Sequence, residues 1–122
     1  MDEQWETGAR VRREVIGDRW ADRPTTPFTE PFREYVTRTA WAQVWARPGL
    51  DRKTRSAVTL GVLTALHCTD ELAMHVEAAR RNGLTPDEIA EILLQATVYA
   101  GAPAGNAAFA VAQRVLADGT DG

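Results

Sequence analysis

The side chain with most to explain in this sequence is His75. Leu72, His75, Val76 and Ala79 recur at i, i+3, i+4 and i+7, so an imidazole shares the apolar stripe of an amphipathic helix. A ring placed there loses its hydration and needs partners for both nitrogens. It is either a satisfied core histidine or a general acid–base group whose pKa is set by burial. Glu71, one turn earlier at i−4, either orients the ring and selects its tautomer or is a first-turn carboxylate favoured by the helix dipole. Arg52 and Arg55 form a second candidate pair. Three residues apart at the start of a helix, they point to one side, and guanidinium forks suit bidentate capture of carboxylates. The alternative is a solvated first turn that pairs with Asp51 or a neighbouring helix. His67 falls at a helix C-terminus, where a partly charged ring is stabilised, and reads as structural. Cys68 reads as a small buried hydrophobe, because a nucleophilic role would need His75 brought back across a helix break. Two separated histidines and one cysteine have no zinc-ligand spacing, so no metal site is expected. Gly101 to Gly105 precedes a helix, but Pro103 removes a donor and no Lys-Ser/Thr follows, so it is no phosphate loop.

Positioning these groups falls to helices. Breaks come at Gly17, Arg23-Pro24 to Pro27, Pro48-Gly49, Gly83 and Gly101 to Pro103. Between them the pattern predicts helices over about 3–16, from Thr29 to Trp45, from Asp51 to Cys68, from Thr69 or Asp70 to Arg81, from the capping box Thr85-Pro86-Asp87-Glu88 to Ala100, and over about 104–117. Residues 18–28 read as irregular, either a lid or an oligomer strap. From Ala57 onward the third helix is apolar nearly all round, which requires that it be surrounded in the core or in a subunit interface. The last helix is crowded with Ala104, Gly105, Ala107, Ala108 and Ala112, which lets a partner backbone come close. No segment alternates with a strand period. The expected fold is all-α, a single domain of about six helices over residues 1–122.

Length and composition agree. A chain of 122 residues holds one core, and 44% apolar with 25% charged residues is ordinary for a globular protein. The longest strictly apolar run, Ala107 to Ala112, falls far short of a bilayer span. With a net charge of −3 there is no basic field to draw in nucleic acid or anionic lipid, so neither is an expected partner. Lys53 is the only lysine among 14 basic residues, a bias that suits genomic base composition as well as function. One cysteine excludes an intrachain disulfide or a CxxC pair. The acidic start Met1-Asp2-Glu3 is unlike a signal peptide, and a cytoplasmic location is expected.

Three stretches resemble the carboxymuconolactone decarboxylase family. They are Trp41 to Leu60 with its RPGLDRKTRS turn, Glu71 to Gly83 with its ELAMH helix, and Val98 to Asn106. Gly8 to Gly17 is similar to the N-terminus of the family's short members. The wider superfamily includes alkylhydroperoxidase-like proteins, whose signature is CxxC followed four residues later by histidine. On this chain those positions are Cys68, Glu71 and His75, so the second cysteine is missing. Peroxidase-type relatives also carry a glutamate near the start of the core helix, where Ser56 stands here. Both departures favour decarboxylation over dithiol chemistry.

The resemblance implies an alkylhydroperoxidase-like helical fold and a cofactor-independent decarboxylation in aromatic catabolism, within the protocatechuate branch of the β-ketoadipate pathway. There 4-carboxymuconolactone loses CO₂ to give β-ketoadipate enol-lactone. It further implies His75 as proton donor or oxyanion donor with Glu71 holding its ring, and Arg52 and Arg55 as carboxylate anchors. Trp45, Tyr99 and Asn106 are expected as further substrate contacts. Family members are helical homo-oligomers, so a hexamer or trimer is expected. Two rivals stand beside this reading: a thiol enzyme using Cys68 alone, and a non-catalytic helical oligomer that binds a small carboxylate.

Overall fold

A computed structural model describes residues 2–118, whose regular elements are all helical, with no strand among them. In chain order the helices are α1 (Glu3–Ile16), α2 (Asp18–Ala21), α3 (Glu30–Val36), a π-helical segment (Thr37–Trp45), α4 (Arg52–Ala65), α5 (Thr69–Arg81), α6 (Pro86–Ala100) and α7 (Ala102–Asp118). The all-α expectation holds, with seven α-helices among the described residues rather than about six. The chain divides into two compact units, Met1–Arg52 and Lys53–Gly122.

In the first unit α1 packs along the π-helical segment. Asp2 caps α1 by accepting from the Trp5 N–H at 2.9 Å, and Val11 and Val15 are buried on its inner side. The helix expected from Thr29 to Trp45 changes character at Thr37. Thr37 and Thr39 donate their hydroxyls to the Arg33 and Tyr35 carbonyls at 2.7 and 2.8 Å, and from there the backbone bonds reach five residues back. The wider turn sets the Thr37 carbonyl against Gly8, where any Cβ would lie 2.2 Å from its oxygen. Only glycine fits there. Thr29 occupies the N-cap position of α3, but its hydroxyl accepts from the Thr26 N–H instead of from α3, and Pro31 takes an opening position of the helix. The stretch expected to be irregular begins with a helical turn, α2. Gly17, at φ +87°, turns the chain into it, and Arg12 holds its end by donating to the Ala21 and Trp20 carbonyls at 2.9 and 3.2 Å.

In the second unit α5 and α6 both pack on α7. Leu60, Leu72, Ile89 and Leu93 are fully buried in one core with Val76 and Ala108. Removing each large aliphatic side chain from water contributes about 1.5–3 kcal/mol. The capping box forms as expected, with Glu88 N–H donating to Thr85 Oγ1 and Thr85 N–H to Glu88 Oε1. Among the small residues of α7, Gly105 makes room for a neighbouring side chain. A Cβ on it would lie 2.2 Å from Thr97 Oγ1, so the group that comes close there is the Thr97 side chain of α6.

Three boundaries differ from expectation. Helix α4 stops at Ala65, because His67 adopts φ +58°, rather than running to Cys68. Cys68, not Thr69 or Asp70, holds the N-cap position of α5. Helix α7 opens at Ala102, with Pro103 in its first turn.

Candidate active site

His75 lies on α5 with 8% of its surface exposed, on the buried stripe with Leu72, Val76 and Ala79. Burial penalises the imidazolium and pushes its pKa down to about 4, so the ring is neutral at physiological pH. A neutral imidazole offers one N–H donor and one lone pair. Glu71 stands one turn earlier and exposed, its carboxylate in water where His75 is not.

The arginines at the start of α4 part company. Arg52 donates to Glu14 Oε1 of α1 at 2.9 Å, which is the pairing with a neighbouring helix that its spacing left open. Arg55 is half-buried with its Nε enclosed. A guanidinium half out of water gains more from a carboxylate than an exposed one does. Trp45 stacks on Trp41 with centroids 5.4 Å apart and planes tilted by 33°. Asn106 is exposed in the first turns of α7.

Tyr99 is 83% exposed and lines an open groove of about 700 Å³ between α4 and α6. Ala57, Val58, Gly61, Val62 and Ala96 form its walls, and Glu91 and Gln95 supply its polar edge. Arg55, Glu71, His75 and Asn106 are absent from this lining. Within its own unit, helix α4 therefore has one open side among the described residues. It buries Ser56, Leu60 and Thr64 on one side and exposes Val58 and Val62 on the other.

Sequence reasoning missed two polar features. Asn82 Nδ2 donates to the fully buried Ser56 Oγ at 3.0 Å, tying the end of α5 to the start of α4. In the sequence, Asn82 reads only as a helix stop before Gly83. Lys53 joins the same region through an ion pair of 3.2 Å to Glu88 of the capping box. Among the described residues no three His, Cys, Asp or Glu side chains gather where a metal ion could sit. No helix among the described residues is long and apolar enough to cross a membrane.

The carboxymuconolactone decarboxylase family model matches residues 30–114. A 4-carboxymuconolactone decarboxylase of Acinetobacter baylyi is 43% identical over 120 residues, covering 96% of this chain and 90% of the relative. The nitrosuccinic acid decarboxylase npaB of Metarhizium robertsii is 42% identical over 120 residues, 96% of this chain and 84% of the relative. An uncharacterized 15.0 kDa protein of Paracoccus denitrificans is 38% identical over 80 residues, 64% of this chain and 60% of its own length. Both relatives with a named activity are decarboxylases, which favours that chemistry over the thiol reading. On these matches, with the helical architecture and the missing second cysteine, the chain belongs to the carboxymuconolactone decarboxylase family.

Proposed function

We infer that the protein is a carboxy-lyase that converts 4-carboxymuconolactone to β-ketoadipate enol-lactone, a step of protocatechuate breakdown. The observation that carries this is the 43% identity along 96% of the chain to a decarboxylase of that substrate. The substrate makes the chemistry accessible without an added electron sink. Its departing carboxylate sits on a ring carbon joined through C=C to the lactone carbonyl. As the C–C bond breaks, the electron pair passes through the ring to that oxygen. A proton then adds at the carbon alpha to the carbonyl, and the double bond shifts. Nitrosuccinic acid, the substrate in the name of the second relative, likewise carries an electron-withdrawing group and two carboxyls.

The protein must then bind two carboxylates, stabilise the developing oxyanion and allow protonation of carbon. A buried neutral His75 suits the oxyanion best, because its N–H donates in a region of low dielectric without the ring first having to take up a proton there. Burial thus favours the hydrogen-bond role over that of an imidazolium acid. Glu71 is assigned to hold the ring when substrate is bound. Arg52 and Arg55 are assigned to the substrate's carboxylates, Arg52 by exchanging Glu14 for the ligand. Trp45, Tyr99 and Asn106 are assigned to the ring and its polar edge.

The apolar face of α4 and α6 supports a homo-oligomer, a hexamer or trimer, in which a second copy covers Val58, Val62, Leu94 and Val98. The single free Cys68 suits a reducing, cytoplasmic setting. The test is an ultraviolet assay in which a cycloisomerase generates 4-carboxymuconolactone from 3-carboxymuconate and this protein is added. Wild type should form enol-lactone rapidly, and His75→Gln, if folded, should lose roughly two to three orders of magnitude in kcat. Loss of activity in Cys68→Ser with full activity in His75→Gln would overturn the assignment.

A further inference from the structure

Helix α3 of the first unit buries none of its residues. Helical bonding begins just before it, where the Thr26 carbonyl accepts from the Thr29 and Glu30 N–H groups at 3.0 and 2.9 Å. Phe28 is thereby brought into register with the helix. Phe28, Phe32 and Tyr35 recur at i, i+4 and i+7 on one face, and they are 92%, 69% and 65% exposed. A short helix persists in water mainly by burying such a face against a neighbour. Here three aromatic rings meet solvent instead, and the decarboxylation reading makes no use of them.

The second unit carries a surface of complementary form. The groove of about 700 Å³ between α4 and α6 is lined along its length by small residues, Ala57, Gly61 and Ala96 among them. A Cβ added to Gly61 would meet nothing within 4 Å, so the space over the α4 backbone is open at that point. Val58 and Val62 stand exposed beside it. An open apolar groove of this kind receives a helix whose anchors fall at i, i+4 and i+7. Tyr35, at the end of the anchor row, adds a phenol hydroxyl that suits the polar edge formed by Glu91 and Gln95.

We propose that the aromatic face of α3 docks into the α4–α6 groove of a second copy of this chain. The inference rests on the homo-oligomer reading given above and names the element that covers the groove. Full burial of an aromatic side chain removes about 150–250 Å² from water, so three rings this exposed supply roughly 350–550 Å². In a closed oligomer each copy gives one α3 face and one groove. Its share then comes to roughly 700–1,100 Å², against about 800 Å² per partner in a specific, stable interface. A membrane fits the rings less well. Helix α3 carries two glutamates against one arginine in a chain of net charge −3, which does not suit an anionic lipid surface.

The experiment measures the mass of the full-length protein by light scattering over a dilution series, so it needs no substrate. Two variants are compared with wild type, each checked for helicity by circular dichroism. Phe32→Ser removes the central anchor of an exposed face, and Gly61→Leu fills the groove at a position with open space while replacing a poor helix former by a good one. Each variant alone should dissociate at a concentration higher than wild type by roughly tenfold or more. An equal mixture of the two should form a species larger than either makes alone, because the intact α3 of the Gly61→Leu copy can enter the open groove of the Phe32→Ser copy. A wild-type protein that stays monomeric would overturn the oligomer reading and this docking with it. An oligomer whose dissociation is unchanged in either variant, or a mixture no larger than its parts, would overturn the docking and leave the oligomer standing.

Discussion

Replacing His75 by glutamine removes one titrating group from the interior and, with it, a pH-dependent part of the stability. In the folded protein the ring titrates at about 4, against 6.5 for an unburied imidazole. Between these two values the unfolded chain binds a proton that the folded chain does not. Stability is therefore complete above about pH 6.5 and is lost progressively as pH falls towards 4. At about 1.4 kcal/mol for each pH step, the full loss is roughly 3 kcal/mol. With only 8% of the residue exposed, solvent screens little of this. Glutamine keeps a donor and an acceptor in a similar volume and does not titrate. Urea unfolding of both proteins, at one protein concentration and constant ionic strength, should show wild type losing roughly 2–3 kcal/mol more than the variant between about pH 7.5 and pH 4.5. Asp2, Asp22 and Glu88, all held below their ordinary values by arginine, lysine or backbone donors, also lose stabilising charge in acid. They do so equally in the two proteins and cancel in the difference. A difference that stays constant with pH would refute the claim that burial holds this ring neutral.

The same neutral ring makes a kinetic prediction. If His75 acts as an N–H donor, kcat should stay level from about pH 5.5 to pH 8, whereas an imidazolium acid would lose about tenfold per pH step above its pKa. Gly105→Ala should destabilise by about 1–3 kcal/mol in thermal unfolding, because its Cβ meets Thr97, and Thr97→Ala in the same chain should recover part of the loss. Ser56→Ala should cost about 1–2 kcal/mol in urea unfolding by removing the acceptor of Asn82 Nδ2. Val62→Glu places a charge on the exposed apolar face of α4 and should lower the mass seen by light scattering while helicity is kept. An unchanged mass would refute the reading of this face as a subunit interface.

How much of this was legible in the sequence depended on whether the cause was local. The capping box, Pro31 near the start of its helix and the His75 stripe are written in adjacent residues or in one helical period, and they appear where expected. The end of α4 was misplaced because the left-handed His67 is not signalled by a glycine. The helical turn α2 was missed for a related reason. It is held by Arg12 of α1, and that contact has no signature within residues 18–21. The π-helical turn from Thr37 has the same character, since threonine back-bonding and a glycine 29 positions earlier act together.

By itself, the sequence determined the helical class, the breaks, the family and the decarboxylation reading, because each rests on residue types at fixed short spacings or on whole-chain likeness. Tertiary structure decided what each polar group meets. It assigned Arg52 to Glu14, kept Arg55 half out of water, made His75 a neutral ring and joined Ser56 to Asn82. It also turned the apolar girth of α4 outward on one side. Burial and partnership arise from segments brought together through space, so the charge state of a side chain and the exposure of a face become definite only when the chain has folded.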